Sequence, residues 1–183
     1  MYGKIKRITR GLNPITNVAS DRPDLEYSYD ASGNRIAKIT KTKTALGVLN
    51  PPNQWIYTYY ERDAQGNVMA VYDQSQTNSG NLFLNEQHVY GSSRLGLLTR
   101  NINMQTPTNL NNVFVREAGN KAFEFGNHLG NVLTVVSDRK LQIASTSNAA
   151  LVGSFNPDIL SANDYYSFGA PMPGRNFNAV DYR

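Results

Sequence analysis

The sequence predicts an all-β protein built of consecutive antiparallel β-hairpins, and three observations predict it. The first is a turn motif, Asp-x-x-Gly-Asn, set between an aromatic-rich run and a β-branched one. It occurs at Tyr27-Ser28-Tyr29-Asp30-Ala31-Ser32-Gly33-Asn34-Arg35-Ile36 and at Tyr59-Tyr60-Glu61-Arg62-Asp63-Ala64-Gln65-Gly66-Asn67-Val68. A third copy, Phe125-Gly126-Asn127-His128-Leu129-Gly130-Asn131-Val132, carries Asn127 in place of the Asp. An Asp or Asn side chain accepts hydrogen bonds from the backbone just ahead of it, which opens a tight turn, and Gly supplies the positive φ that closes it. Such a turn is a common hairpin connection. The second observation is spacing: Gly33 to Gly66 is 33 residues, and Gly66 to Gly130 is 64, close to twice that. Tyr90-Gly91-Ser92-Ser93-Arg94-Leu95-Gly96 falls between as a weaker copy, with Tyr90 six residues before its Gly as Tyr27 and Tyr60 are before theirs. A fixed period in this range marks a repeat architecture. The third is an absence: no long stripe of apolar residues at i, i+3, i+4, i+7 runs anywhere, so a major helix is not expected. The residues that carry this prediction are Asp30, Gly33, Asn34, Asp63, Gly66, Asn67, Asn127, Gly130 and Asn131, all in structural turn roles.

Taken in order, Gly3 to Thr9 alternates as a strand does and runs into a turn at Gly11-Leu12-Asn13-Pro14. Leu25 to Thr40 is the first full hairpin. Thr44 to Asn53 reads as a loop, stopped by Pro51 and Pro52, which cannot donate to a ladder. Trp55 to Asp73 is the second hairpin. Its entry places Trp55, Tyr57 and Tyr59 on one face by the strand period of two, and that face is expected to be buried. Gln74 to Asn81 is polar. Leu82 to Tyr90 and Leu95 to Asn101 give a third hairpin about the weaker turn. Met104 to Asn112 is a second polar loop, Val113 to Arg116 a short strand, and Phe123 to Asp138 a further hairpin, with Leu141-Gln142-Ile143 continuing as strand. Ala144 to Asn163 has little pattern, though Pro157 to Ala162 is compatible with a helical turn. Tyr165 and Tyr166 open a last strand that Gly169-Ala170-Pro171 breaks.

The bulk properties suit this outline. At 183 residues the chain is one domain's worth, with 40% hydrophobic residues and 11 tyrosines. No apolar run approaches the roughly 18 residues of a membrane helix, so no membrane span is expected. No signal peptide is visible after Met1, which says nothing about export if more chain precedes it. Without cysteine there are no disulfides or thiolate metal sites. The net charge is +4, with basic residues gathered at Lys4, Lys6, Arg7 and Arg10 and again at Arg35, Lys38, Lys41 and Lys43. Solvated strand faces account for these better than nucleic acid, because no aromatic residues interleave them as in single-strand binders.

Little here supports catalysis. The two histidines, His88 and His128, lie on separate repeats with no motif joining them, and no metal contact is expected at either. The carboxylates sit mostly in turns (Asp30, Asp63) or at strand ends (Asp73, Asp138). Gly91 to Gly96 lacks the Lys-Ser/Thr ending and following helix of a phosphate loop. No zinc or calcium spacing is present. The chain reads as non-enzymatic and without a cofactor.

Tyr-x-Tyr-Asp-x-x-Gly-Asn-Arg at residues 27–35 resembles the YD repeat of RHS proteins, large bacterial shells related to teneurins and to the cocoon subunits of insecticidal toxin complexes. Asn127-His128-Leu129-Gly130-Asn131 with the run to Asp138 is similar to the opening of the RHS-associated core domain. Asp164-Tyr165-Tyr166-Ser167-Phe168-Gly169 resembles that core's D-Y-x-P-F-G. Pro171-Met172-Pro173-Gly174-Arg175 looks like the version found in Bacteroidota. The resemblance covers about residues 25–183 and implies YD-type hairpin repeats over 1–122 and the start of a core region over 123–183. It implies a fold in which hairpins join edge to edge into a strip of a larger wound β-shell. The implied function is that of a non-catalytic segment of a secreted shell that encloses and delivers a C-terminal toxin between bacteria. The implied partners are the rest of the same chain and its toxin. The family's cleavage aspartates have no counterpart among these residues, and Ser167 stands where the family has Pro, so no catalytic residue is assigned. Two other functions remain open: a cell-surface adhesin or glycan binder recognising through residues 74–86 and 103–120, and export cargo held in its secretion machinery.

Overall fold

Hairpin chemistry dictates the topology. The computed structural model describes residues 3–12, 18–106 and 117–179. Its strands are β1 (Arg7–Ile8), β2 (Asp24–Tyr29), β3 (Arg35–Lys41), β4 (Ile56–Arg62), β5 (Val68–Gln74), β6 (Leu82–Tyr90), β7 (Arg94–Asn103), β8 (Lys121–Gly126), β9 (Val132–Ala144), β10 (Val152–Tyr165) and β11 (Pro171–Asn178). Strand order in the antiparallel sheet is chain order. Two single turns of 3-10 helix, Pro52–Gln54 and Gln76–Asn78, are the only helical segments among the described residues. None of the helices is long and apolar enough to cross a membrane. The chain divides into two compact units, residues 1–87 with 100–113 and residues 88–99 with 114–183.

In the first unit β2–β3 and β4–β5 are the two expected hairpins, paired through Tyr27↔Lys38 and Tyr60↔Val71. The strand expected over Gly3–Thr9 shrinks to Arg7–Ile8. Part of the turn expected next to it, Asn13 and Pro14, lies outside the described residues. The Trp55, Tyr57, Tyr59 face is not buried: Tyr59 keeps 39% of its surface exposed, while Thr58 on the opposite face keeps 7%. Ala70 and Leu84 are the unit's buried apolar side chains. With no second layer, long side chains of the sheet cover its rings. Lys41 Nζ lies 4.7 Å from the Trp55 ring, Arg35 lies 4.3 Å from Tyr27 and Arg62 5.9 Å from Tyr60. Cation–π contact of this kind uses the apolar stem as cover and leaves the charge near water. The basic residues are therefore not simply solvated. Lys43 is buried with Asp24 in a 2.6 Å ion pair, and Lys41 bonds Glu26 at 2.6 Å. Leu82 already belongs to β6, so the loop expected over residues 74–86 is only 75–81.

In the second unit β8–β9 forms the expected hairpin, with Leu141–Ile143 inside β9. The helical turn foreseen at Pro157–Ala162 is absent: Val152–Tyr165 is one strand, β10. Its register with β9 breaks between Pro157 and Ile159 and again before Ser161. A bulge removes the ladder bond that Pro cannot make, and it also scrambles the period of two by which a strand is recognised. Gly169-Ala170-Pro171 does not end the last strand but turns it, and Pro171 starts β11. Pro at the first residue of a strand costs no ladder bond. The short strand expected at Val113–Arg116 lies outside the described residues. Register places Phe123, Val136 and Ile159 on one face, with Phe125, Thr134, Ala162 and Phe177. Phe125 and Phe177 are more than half exposed there. The opposite face holds the buried Ala122, Val135, Ser137 and Ser161, where Arg94 Nε donates to Glu124 at 2.8 Å.

Candidate functional site: the five-residue turns

One hydrogen-bond pattern recurs at five turns. The N–H of the first residue donates to the carbonyl of the fifth, and the N–H of the fourth, always Gly, donates to the carbonyl of the first. These two distances are 2.9 and 3.1 Å at Asp30–Asn34, 2.8 and 2.9 Å at Thr44–Val48, and 3.0 and 3.0 Å at Asp63–Asn67. They are 2.9 and 3.0 Å at Asn127–Asn131, and 2.9 and 2.9 Å at Tyr166–Ala170. Gly33, Gly66 and Gly130 have φ of +87°, +90° and +84°, the left-handed region that the turn requires.

In the three turns read from sequence, the first side chain closes the ring. Asp30 accepts from Asn34 N–H at 2.8 Å and from its amide at 3.1 Å. Asp63 accepts from Gln65 and Asn67 N–H at 3.0 and 2.8 Å and from the Asn67 amide at 2.9 Å. Asn127 accepts from Leu129 and Asn131 N–H, both at 3.0 Å. The Asn34 backbone N–H holds the Asp30 carboxyl below its ordinary range, and the Asn67 side-chain amide does the same for Asp63. A carboxylate stabilised by so many donors is a poor proton acceptor. These residues shape backbone and do not form a reactive constellation.

The turns also touch one another. A Cβ placed on Gly66 would lie 2.9 Å from Asn34 Oδ1, and one on Gly169 would lie 3.0 Å from Asn131 Oδ1. The fifth residue of one hairpin turn thus lies over the Gly of another, Asn34 over Gly66 and Asn131 over Gly169, once in each unit. A second contact repeats three times. The residue just before a turn donates its side chain to an earlier backbone carbonyl: Tyr29 Oη to Ile5, ahead of β1, at 2.8 Å, Arg62 Nε to Arg35 at 2.9 Å and Tyr165 Oη to Val132 at 3.0 Å, the last two in the preceding hairpin. Arg35 and Val132 each stand first after their own turn. Gly3, two residues before Ile5, has a positive φ of +90°, as Gly33 has +87° two residues before Arg35.

The nine residues named from sequence therefore make three separate turns, two in the first unit and one in the second. Tyr90–Gly96 is not a copy. The β6–β7 connection closes by Gly91 N–H to Ser93 carbonyl at 2.9 Å, and Gly96 is a buried strand residue whose added Cβ would lie 2.0 Å from the Ala122 carbonyl oxygen. The turns at 44–48 and 166–170 lack Asp or Asn at the first position and were not foreseen. Gly three residues after Thr44 and after Tyr166 was the available signal. Nor did sequence single out Tyr29, Arg62 or Tyr165. His128 is exposed on its turn and His88 half-buried on β6, its ring 6.5 Å from Tyr90. Among the described residues no three His, Asp or Glu side chains stand close enough to hold a metal ion. Compared with protein-family models and with curated proteins, the chain matches none.

Proposed function

We propose that this chain is a non-catalytic segment of a secreted RHS-type shell, a strip of hairpins whose partners are the rest of the shell and an enclosed toxin. What supports it is the pairing of a repeated inter-hairpin contact with sparse apolar burial. Arg62 ties the β4–β5 hairpin to β2–β3, Tyr165 ties β10–β11 to β8–β9, and Tyr29 ties β2 to the segment before β1. Yet each unit buries only two apolar side chains, Ala70 and Leu84 in one and Ala122 and Val135 in the other, among the described residues. Sheets stable on their own bury one whole face against another element. A sheet with so little apolar burial among its described residues gains further cover from outside. The carboxylates of Asp30 and Asp63 are spent on turn closure, which favours a structural over a chemical role.

The test is protease protection in the product of the whole gene. A toxin segment enclosed by a shell is expected to resist digestion until denaturant opens the shell, while the same segment expressed alone is cut. Equal digestion in both settings overturns encapsulation.

A further inference from the structure

We infer that the hollow beside the Asp30–Asn34 turn binds a small oxyanion: a sulfate, phosphate or carboxylate group. The hollow, about 380 Å³, is lined by Lys4, Tyr29, Arg35, Tyr60 and Arg62 around Gly33 and Asn34. Three cations face it and no carboxylate lines it. Glu61, between Tyr60 and Arg62 in sequence, accepts from the Tyr72 hydroxyl at 3.0 Å, and Asp30 and Asp63 are closed into their own turns by Asn34 and Asn67. Asp73, whose charge also acts on Tyr60, accepts from Asn85 through Oδ2 at 2.7 Å and keeps its buried Oδ1 without a partner among the described residues.

The cations are held in place. Arg35 lies 4.3 Å from the Tyr27 ring, so its plane is fixed, and its Nε is buried without a hydrogen-bond acceptor in the protein. A buried N–H without an acceptor is costly, and the Tyr60 hydroxyl also hydrogen-bonds the Arg35 side chain. Arg62 is anchored through Nε to the Arg35 carbonyl and through Nη1 at 2.6 Å to the Gly66 carbonyl, which leaves N–H groups over from its five. Lys4 follows Gly3 as Asn34 follows Gly33 and Asn67 follows Gly66, so a charge stands where those two turns have an amide. Planar guanidinium groups suit both tetrahedral and carboxylate oxyanions.

Equilibrium dialysis of the full chain with radiolabelled sulfate and with radiolabelled phosphate, chloride holding ionic strength constant, tests this. The expected result is saturable binding near one site per chain. Lys4→Gln and Arg35→Gln should each weaken it at least about five-fold, while Arg175→Gln, in the other unit, leaves it unchanged. Lys4 is exposed, so its variant reports on binding even where loss of Arg35 disturbs the fold. Displacement by acetate as effective as by phosphate identifies a carboxylate as the natural group, and weak displacement identifies a sulfate or phosphate ester. Non-saturable uptake, or uptake unchanged by Lys4→Gln, overturns the site.

Discussion

Three glycines in this fold look interchangeable in sequence and are not. Gly130 has φ +84° with open space where a side chain would go, so Gly130→Ala meets only the left-handed backbone cost, about 1 kcal/mol. Gly66 has φ +90° and the Asn34 side chain over it, which cannot swing aside without losing its amide bond to Asp30. Gly66→Ala is therefore expected to cost more, on the order of 2 kcal/mol. Gly96 faces the backbone carbonyl of Ala122, which cannot yield without parting β7 from β8. Gly96→Ala should be the most damaging. Urea midpoints should rank Gly130→Ala above Gly66→Ala above Gly96→Ala, and Asn34→Ala should partly rescue Gly66→Ala. Equal midpoints for the first two contradict the stacking of turns.

Acid should release a different contact. Burial works to raise the Asp24 pKa, but the Lys43 ammonium and the Arg10 backbone N–H outweigh it and hold the carboxyl below its ordinary 3.8. A group with a depressed folded pKa stabilises above its unfolded value and loses that contribution as pH falls through the folded one. The tie between residues 10, 24 and 43 should therefore hold above pH 3.8 and fail below it. Amide exchange at Arg10, whose N–H donates to Asp24 Oδ1 at 2.8 Å, should rise in acid. In Asp24→Asn it should already be fast at neutral pH, and slow exchange there contradicts the assignment.

Among elements, what could be read from sequence depended on punctuation. Hairpins β2–β3, β4–β5 and β8–β9 were legible because Asp or Asn and Gly mark their turns chemically. The β10–β11 hairpin was not, because Tyr166 begins its turn without an Asx side chain and bulges in β10 erase the alternation. Burial was misjudged at Trp55, Tyr57 and Tyr59 because a period of two tells which residues share a face, not whether anything covers it. The ties between hairpins were invisible for a further reason: Tyr29, Arg62 and Tyr165 share a position, not a residue type. Tyr165→Phe removes only the hydroxyl bond to Val132. It should cost about 0.5–1.5 kcal/mol and speed amide exchange around residues 165–172, leaving the β2–β3 hairpin untouched. Unchanged exchange at that hairpin tip would show the tie to be dispensable.

At the scale of the whole molecule, the sheet order begins at β1 and ends at β11, each paired on one side only among the described residues. β1 is two residues long, whereas β11 runs for eight and pairs only with β10. An uncovered edge is a template for another strand, and a repeat array requires caps at its ends. Phe125 and Phe177, each more than half exposed among the described residues, add an apolar face. Both features suit the proposed role as part of a larger sheet. Sedimentation of the chain expressed alone, read together with its thermal melt, tests that role most directly. Concentration-dependent self-association, or a melt without a single cooperative transition, is the expected result. A monodisperse monomer that melts in one cooperative step would contradict it.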